Sequence, residues 1–186
     1  MLISHKLKLI FAHIEKTGGA SFKQAIRDID SKAEDIIDFH ARITRELIKK
    51  YPDYYKVTIV RNSYKAVISR WRFGGMKYGH LTEEQVQEFP RFKKWLLNNK
   101  SQVFDQLSYI KDDKGMLVDQ IIYYDKLEEG IKLLNKKLKT SIILTNKKAH
   151  YYGLYNYKDF YNKEIKKLVF EKCKKDIEYF KWKFED

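Results

Sequence analysis

An α/β layered fold, with a mainly parallel central sheet flanked by helices, is what this chain of 186 residues predicts. Short apolar runs alternate with amphipathic helical stretches along most of its length, the pattern of repeated strand–helix units. Hydrophobic residues make up 44% of the chain and aromatics 15%, enough to bury a substantial core. Only two prolines occur, Pro52 and Pro90, and there is no repeat, low-complexity tract or Pro/Gly-rich linker. One domain spanning residues 1–186 is therefore expected.

The elements follow in order. Leu7 to Ile14 (Leu-Lys-Leu-Ile-Phe-Ala-His-Ile) predicts a buried strand, broken by Gly18 and Gly19 and followed by a helix over Ala20 to Ile29. Ile36 to Phe39 predicts a short strand and Arg42 to Lys50 a helix. Val57 to Val60 is a further apolar run, with a helical pattern from Tyr64 to Phe73 after it. The three glycines in Gly74 to Gly79 predict a loop, and Phe89 to Leu97 a helix. Asp119 to Tyr124 predicts a strand, Leu127 to Leu138 an amphipathic helix and Ser141 to Leu144 a weaker strand. Asn162 to Phe180 carries the longest helical pattern.

Composition narrows the functional classes. Thirty-eight Lys and Arg against 25 Asp and Glu give a formal charge of +13, which favours anionic partners. Many of the lysines sit in helical stretches, Lys132 to Lys139 and Lys163 to Lys175, where a solvated helix face accounts for them. Cys173 is the only cysteine, so an intrachain disulfide framework and a cysteine-rich metal site are both excluded. It shares a stripe with Ile165, Val169, Ile177 and Phe180 and reads as a core thiol. No apolar run is long enough to span a bilayer, and Met1 to Ile10 lacks the features of a signal peptide. A cytoplasmic protein, or a soluble catalytic domain freed of its anchor, is expected.

Two segments carry chemistry. In Ile14-Glu15-Lys16-Thr17-Gly18-Gly19-Ala20-Ser21-Phe22 a strand, a glycine turn and a helix follow one another. Turn amides and a helix start then point at one place, the arrangement that binds phosphate. Glycines allow close approach, Lys16 adds a cation and Ser21 a hydroxyl. The spacing is not Gly-x-x-x-x-Gly-Lys-Ser/Thr, so this is not a nucleoside-triphosphate loop. Lys-Thr-Gly-Gly alone also suits an ordinary strand-to-helix turn; the flanking patterns favour the phosphate reading. In Val60-Arg61-Asn62-Ser63-Tyr64-Lys65-Ala66-Val67-Ile68-Ser69, Arg61 stands at a strand end, where a guanidinium can grip phosphate through two parallel hydrogen bonds. Ser69 lies about two helical turns onward. Alone, this segment reads equally as a surface arginine and a helix-interior serine.

Together the segments resemble those of sulfotransferases that use 3′-phosphoadenosine 5′-phosphosulfate (PAPS). Ile14 to Phe22 resembles the 5′-phosphosulfate loop, in the Lys-Thr-Gly-Gly-Thr-Ser form of the branch with many carbohydrate sulfotransferases; Ala20 stands where a threonine is usual. Arg61 and Ser69 fall on the arginine and serine of the 3′-phosphate motif Arg-Asn/Asp-Pro-Tyr-x-Arg-x-x-Ser. Asn62 and Tyr64 match it too, whereas Ser63 replaces its proline and Ala66 its second arginine. The resemblance extends over Asp119 to Leu138, Asn146 to Tyr161 and Asp176 to Phe184. It implies a P-loop-like three-layer fold, a sulfuryl transfer from PAPS to an acceptor hydroxyl on a glycan, and adenosine 3′,5′-bisphosphate as product. Lys16, Thr17, Gly18, Gly19, Ala20, Ser21 and Phe22 would hold the phosphosulfate end, and Arg61 with Ser69 the 3′-phosphate.

Such a transfer needs a base for the acceptor proton and a cation for the leaving phosphate oxygen. Lys16 suits the second role. For the first, histidine has the right ordinary pKa, about 6.5. Of His5, His13, His40, His80 and His150, His40 stands just past a predicted strand, where α/β sheets present site residues, and the family commonly carries a histidine near there. Glu15 and Glu46 are fallback carboxylates. His80 sits in the segment Phe73 to Phe89, where acceptor contacts are expected. No metal is implied by residue spacing. Two rivals stay open: a nucleotide kinase, although Walker spacing is lacking, and a non-catalytic nucleic-acid or glycan binder, supported by charge and aromatics but by no nucleic-acid motif. A sulfotransferase fold that binds the donor without turnover is a third, prompted by Ala20, Ser63 and Ala66.

Overall fold

Buried backbone polar groups must pair, in a ladder or within a helix, and the apolar runs of this chain do so. The computed structural model describes residues 1–36, 41–77, 81–144 and 155–185. Its regular elements in chain order are β1 (Leu2–Ser4), β2 (Leu9–Ala12), α1 (Gly19–Ile29), β3 (Glu34–Asp35), α2 (Arg45–Lys50), β4 (Tyr55–Val60), α3 (Ser63–Lys77), α4 (Glu83–Val86), α5 (Phe89–Asn98), β5 (Lys111–Asp112), β6 (Gly115–Met116), β7 (Gln120–Tyr123), α6 (Leu127–Leu138), α7 (Lys163–Lys172) and α8 (Lys174–Phe180). The protein is mixed α/β, and none of its described helices is long and apolar enough to cross a membrane. The chain divides into two compact units, Met1–Arg61 with Gln106–Lys147, and Asn62–Asp105 with Lys148–Asp186.

The first unit holds a five-stranded sheet in the order β3-β1-β2-β4-β7. β2, β4 and β7 are parallel, with Phe11 opposite Val57 and Val57 opposite Gln120. β1 runs antiparallel to both β2 and β3, so the sheet is mixed rather than mainly parallel. The difference comes from a hairpin at the start of the chain. Lys8 adopts a left-handed φ of 47° and its amide bonds to the His5 carbonyl, so the strand expected from Leu7 begins at Leu9 and is preceded by β1. One face of the sheet carries Leu2, Leu9, Phe11, Val57, Ile59 and Ile122, and these pack with Phe22, Ala25 and Ile26 of α1 and Ile131 and Leu134 of α6. Alternation along each strand makes that face apolar, and α1 and α6 cover it with their own apolar stripes.

Some boundaries shift for visible reasons. The helix expected from Arg42 starts at Arg45, because the Thr44 side chain caps it by accepting from the Leu47 amide at 3.2 Å. Ser141 to Leu144 is not a strand. The Ile142 amide and carbonyl are both taken by the Asn135 side chain, at 2.8 and 2.9 Å, and Ile142 is buried. The expected strand Ile36 to Phe39 lies mostly outside the described residues, with β3 ending just before it.

The second unit is helical, with a separate core. Tyr64, Val67, Ile68 and Trp71 of α3 meet Val86, Phe92 and Leu96, and Ile165, Val169, Cys173 and Ile177. Asn62 opens α3, its side chain accepting from the Tyr64 amide at 3.0 Å. Gly74 and Gly75, expected in a loop, continue α3 to Lys77; a Cβ on Gly75 would meet Leu81 at 2.8 Å, so glycine there gives Leu81 its seat. The long helical pattern Asn162 to Phe180 is divided at Cys173 into α7 and α8. Cys173 is fully buried, as its stripe predicts, and burial pushes its thiol up to about 12.

Candidate functional site

Three neighbouring parallel strands end side by side: β2 at Ala12, β4 at Val60 and β7 at Tyr123. The chain leaves β2 towards β3 on one side of the sheet, and β4 is followed in the sheet by β7 on the other. Such reversals at the carboxyl ends of parallel strands are where α/β proteins bind ligands.

The segment after β2 is built for a tight turn. Thr17 is fully buried and its hydroxyl donates to the Ile14 carbonyl at 2.8 Å, closing the turn on itself. Lys16 has φ 63° and Gly18 φ 83°, so the left-handed region is visited twice within three residues. For a lysine this conformation is uncommon and unfavourable by about 1–2 kcal/mol. Gly18 is the N-cap of α1, and its carbonyl accepts from Ser21 and Phe22 at 3.1 and 3.3 Å. A glycine cap has no side chain to turn onto the helix start, and no side-chain cap hydrogen bond is made. Gly19 has another constraint. A Cβ there would lie 2.0 Å from Cδ2 and 2.3 Å from Nε2 of His13, a ring only 4% exposed and stacked on Phe11.

Arg61, the first residue after β4, reaches this loop. Its Nη1 donates to the Lys16 carbonyl at 3.2 Å, and its guanidinium carbon lies 4.4 Å from the centre of the Tyr124 ring. Tyr124, the first residue after β7, also abuts the loop: a Cβ on Gly18 would be 3.0 Å from its ring. The register Val60–Tyr123 makes Arg61 and Tyr124 neighbours, which explains the stacking. Gln106, fully buried, holds the backbone of Arg61 at both ends. It accepts from the Arg61 amide at 3.0 Å and donates to the Arg61 carbonyl at 2.8 Å. Arg61 Nε is buried without a partner, and among the described residues no carboxylate pairs with this guanidinium.

The structure thus brings Lys16, Thr17, Gly18, Gly19 and Arg61 into one cluster. Ala20 is exposed and Ser21 half-buried in the first turn of α1, while the Phe22 ring lies in the core 4.5 Å from Phe11. Ser69 is half-buried on α3, in the other unit. His40, His80 and His150 lie outside the described residues. Glu15 is half-buried within the loop; Glu46, on α2, is exposed. Among the described residues no cluster of His, Cys, Asp or Glu could hold a metal ion. Gln106 and Tyr124 went unnoticed in the sequence. A glutamine outside any motif gives no signal, and Tyr124 reads as the tail of a strand. A shallow depression of about 350 Å³ among Lys8, Pro52, Tyr54, Asp119 and Lys137 lies at the amino ends of β2 and β4, the opposite edge from the loop.

No known family model, curated protein or solved structure matches this chain. What the loop can do therefore rests on its own chemistry. Turn amides, an N-cap without a side chain, Lys16 and a half-buried guanidinium without a carboxylate suit an anion with several oxygens.

Proposed function

We propose that this protein is a sulfotransferase on a P-loop-like three-layer variant of the α/β fold. It moves a sulfuryl group from PAPS to an acceptor hydroxyl on a carbohydrate. The observation that supports this most is the strand–turn–helix after β2, with left-handed residues at Lys16 and Gly18 leading into a helix whose N-cap is glycine. Left-handed turn residues beside a helix start form the concave amide arrangement that favours phosphate and sulfate oxygens. The match of this segment to the Lys-Thr-Gly-Gly loop, and of Arg61 and Ser69 to the 3′-phosphate motif, adds the donor's identity. The charge of +13 suits an anionic donor and an acidic glycan.

In this reading the acceptor oxygen attacks sulfur in line. The bond from sulfur to the phosphate oxygen breaks, and adenosine 3′,5′-bisphosphate leaves. Lys16 stabilises the charge growing on the departing oxygen, and the acceptor proton passes to His40.

Transfer of radiolabelled sulfate from PAPS across a panel of glycan, lipid and tyrosyl acceptors tests this. Turnover with at least one hydroxyl acceptor is expected, together with a fall of a hundredfold or more in Lys16→Ala. Normal turnover by that variant refutes its role. Stabilisation by ATP with magnesium, but not by adenosine 3′,5′-bisphosphate, refutes the sulfotransferase reading in favour of a kinase. Donor binding without transfer supports a second reading, a non-catalytic nucleotide binder, which the exposed Ala20 in place of a hydroxyl residue favours.

A further inference from the structure

We propose that the depression at the amino ends of the parallel strands is a binding site for an acidic sugar, a glycan unit carrying sulfate or carboxylate. It lies at the opposite edge of the sheet from the Lys16 loop, so it holds a ligand and takes no part in transfer. Its volume of about 350 Å³ falls within the range of small-ligand sites, about 300–1,000 Å³. The walls come from three adjacent strands and one helix. Lys8 directly precedes β2, Tyr54 and Tyr55 stand at the start of β4, Asp119 directly precedes β7, and Lys137 lies in the last turn of α6. Backbone hydrogen bonds tie the strand ends together: the Tyr55 amide donates to the Lys8 carbonyl at 2.8 Å, and the Asp119 amide to the Lys56 carbonyl at 2.8 Å. The Tyr54 hydroxyl is held 2.7 Å from Nδ1 of His5.

The groups in this depression differ from those of the loop. Its lining contains no glycine and no arginine; the cations are lysines, point charges on flexible stems that meet an anionic group at many angles. Lys56 is committed, its ammonium donating to the Pro52 carbonyl at 3.0 Å and lying 3.8 Å from Asp119. Among the described residues, Lys8 and Lys137 pair with no carboxylate. Lys8 holds a left-handed φ of 47°, a conformation that glycine takes far more readily. Lys137 Nζ lies 5.5 Å from the centre of the Tyr55 ring, so a cation and an aromatic face stand together. Burial, and then the charge of Asp119, push the Tyr55 hydroxyl above its ordinary range and keep it a neutral donor. Both side-chain contacts of Asp119 use Oδ2, which leaves Oδ1 to accept. That carboxylate selects the ligand. It repels a polyphosphate chain with a charge on every unit, but it accepts hydrogen bonds from sugar hydroxyls. The two lysines then take the sulfate or carboxylate, and the tyrosine ring takes the C–H face of the sugar.

The test is calorimetric titration with a sulfated, uronate-containing tetrasaccharide, a neutral tetrasaccharide of the same length and a thymidine tetranucleotide. Wild type is expected to prefer the sulfated sugar. Lys8→Gly and Lys137→Gln should each weaken it about tenfold or more, and Tyr55→Leu should weaken it too. Lys114→Gln and Lys132→Gln remove the same charge from exposed positions outside the depression and should leave affinity within about twofold of wild type. Equal weakening by all four lysine variants means attraction to the overall charge and overturns the proposal. Tighter binding of the tetranucleotide, lost in the same variants, overturns it in favour of a nucleic-acid site. Lys8→Gly relieves the left-handed lysine, so its urea midpoint should match or exceed that of wild type; should it fall, Lys8→Asn, which also accepts that backbone, carries the same expectation. A wild type that binds adenosine 3′,5′-bisphosphate but none of the sugars overturns this site and leaves the sulfotransferase reading standing. Sugar binding that depends on Lys8 and Lys137, without any nucleotide affinity, does the reverse.

Discussion

Gly19→Ala is the perturbation for which the structure gives the sharpest number. The new methyl carbon would sit 2.0 and 2.3 Å from two atoms of the His13 ring, against an ordinary contact of 3.4–4 Å. Either the ring or the helix start must move by roughly 1.5 Å. The ring has nowhere to go, being 4% exposed and stacked on Phe11, which in turn packs on Phe22. Overpacking of this kind costs about 1–3 kcal/mol. The gain in helix propensity on replacing glycine is at most about 1 kcal/mol. A net loss of about 1–2 kcal/mol is expected, a shift of about 0.5–1 M in the urea midpoint for a slope near 2 kcal/mol/M. Four proteins complete the experiment: wild type, Gly19→Ala, His13→Ala and the double variant. With the ring removed, Gly19→Ala should become neutral or stabilising, a coupling of about 2 kcal/mol. A Gly19→Ala protein as stable as wild type, or equal losses in both backgrounds, would show that the ring does not sit against the helix start.

Other consequences are open to direct measurement. Lys16→Gly removes the charge and relieves the left-handed lysine, so stability should stay within about 1 kcal/mol of wild type or rise, while calorimetric affinity for adenosine 3′,5′-bisphosphate falls at least tenfold. A large loss of stability would mean that the side chain holds the loop together. A hydrogen bond from the Ser4 hydroxyl, 2.6 Å away, holds the Asp30 carboxyl below its ordinary 3.8. The unfolded chain therefore takes up that proton first as pH falls. The stabilisation is complete above about pH 5 and is lost progressively as pH drops past 3.8 and through the folded value. Asp30→Asn should flatten the acid side of a thermal-melt pH profile, and an unchanged slope would remove Asp30 from that account. Cys173 should resist a thiol reagent at pH 8 in the native protein and react only at the rate of local opening; immediate labelling would contradict its burial.

The parts legible in the sequence were those set by local pattern. The Leu-Ile-Phe-Ala run, the glycine break and the helix after it stand where expected, and α6 keeps the bounds Leu127–Leu138 that its spacing predicts. Features decided by distant partners were not legible. β1 is three residues long and has no alternation to detect; it is a strand because Leu2 finds Phe11 on one side and Asp35 on the other. Gly74 and Gly75 favour a loop by propensity, yet both continue α3, where the bare backbone of Gly75 leaves room for Leu81. The hydrophobic period runs unbroken through Cys173, so the interruption there is invisible to periodicity. At the candidate site, Lys16 and Gly18 were found by motif. That Arg61 touches Lys16 follows from β4 lying next to β2, and strand order is not written in any local segment.

The way β4 finds its second neighbour sets the timing of assembly. Its residues Val57 to Val60 pair with Gln120 to Tyr123, and the whole stretch Asn62–Asp105 lies between them in the chain. A ribosome must therefore extrude most of the protein before the last strand can dock, and until then one flank of β4 offers open amides and carbonyls. Parallel pairing over so long a loop is slow. Pulse-labelled hydrogen exchange during refolding should see the β4–β7 ladder protected after the β1–β2 hairpin, and that waiting interval is when the nascent chain is most exposed to aggregation.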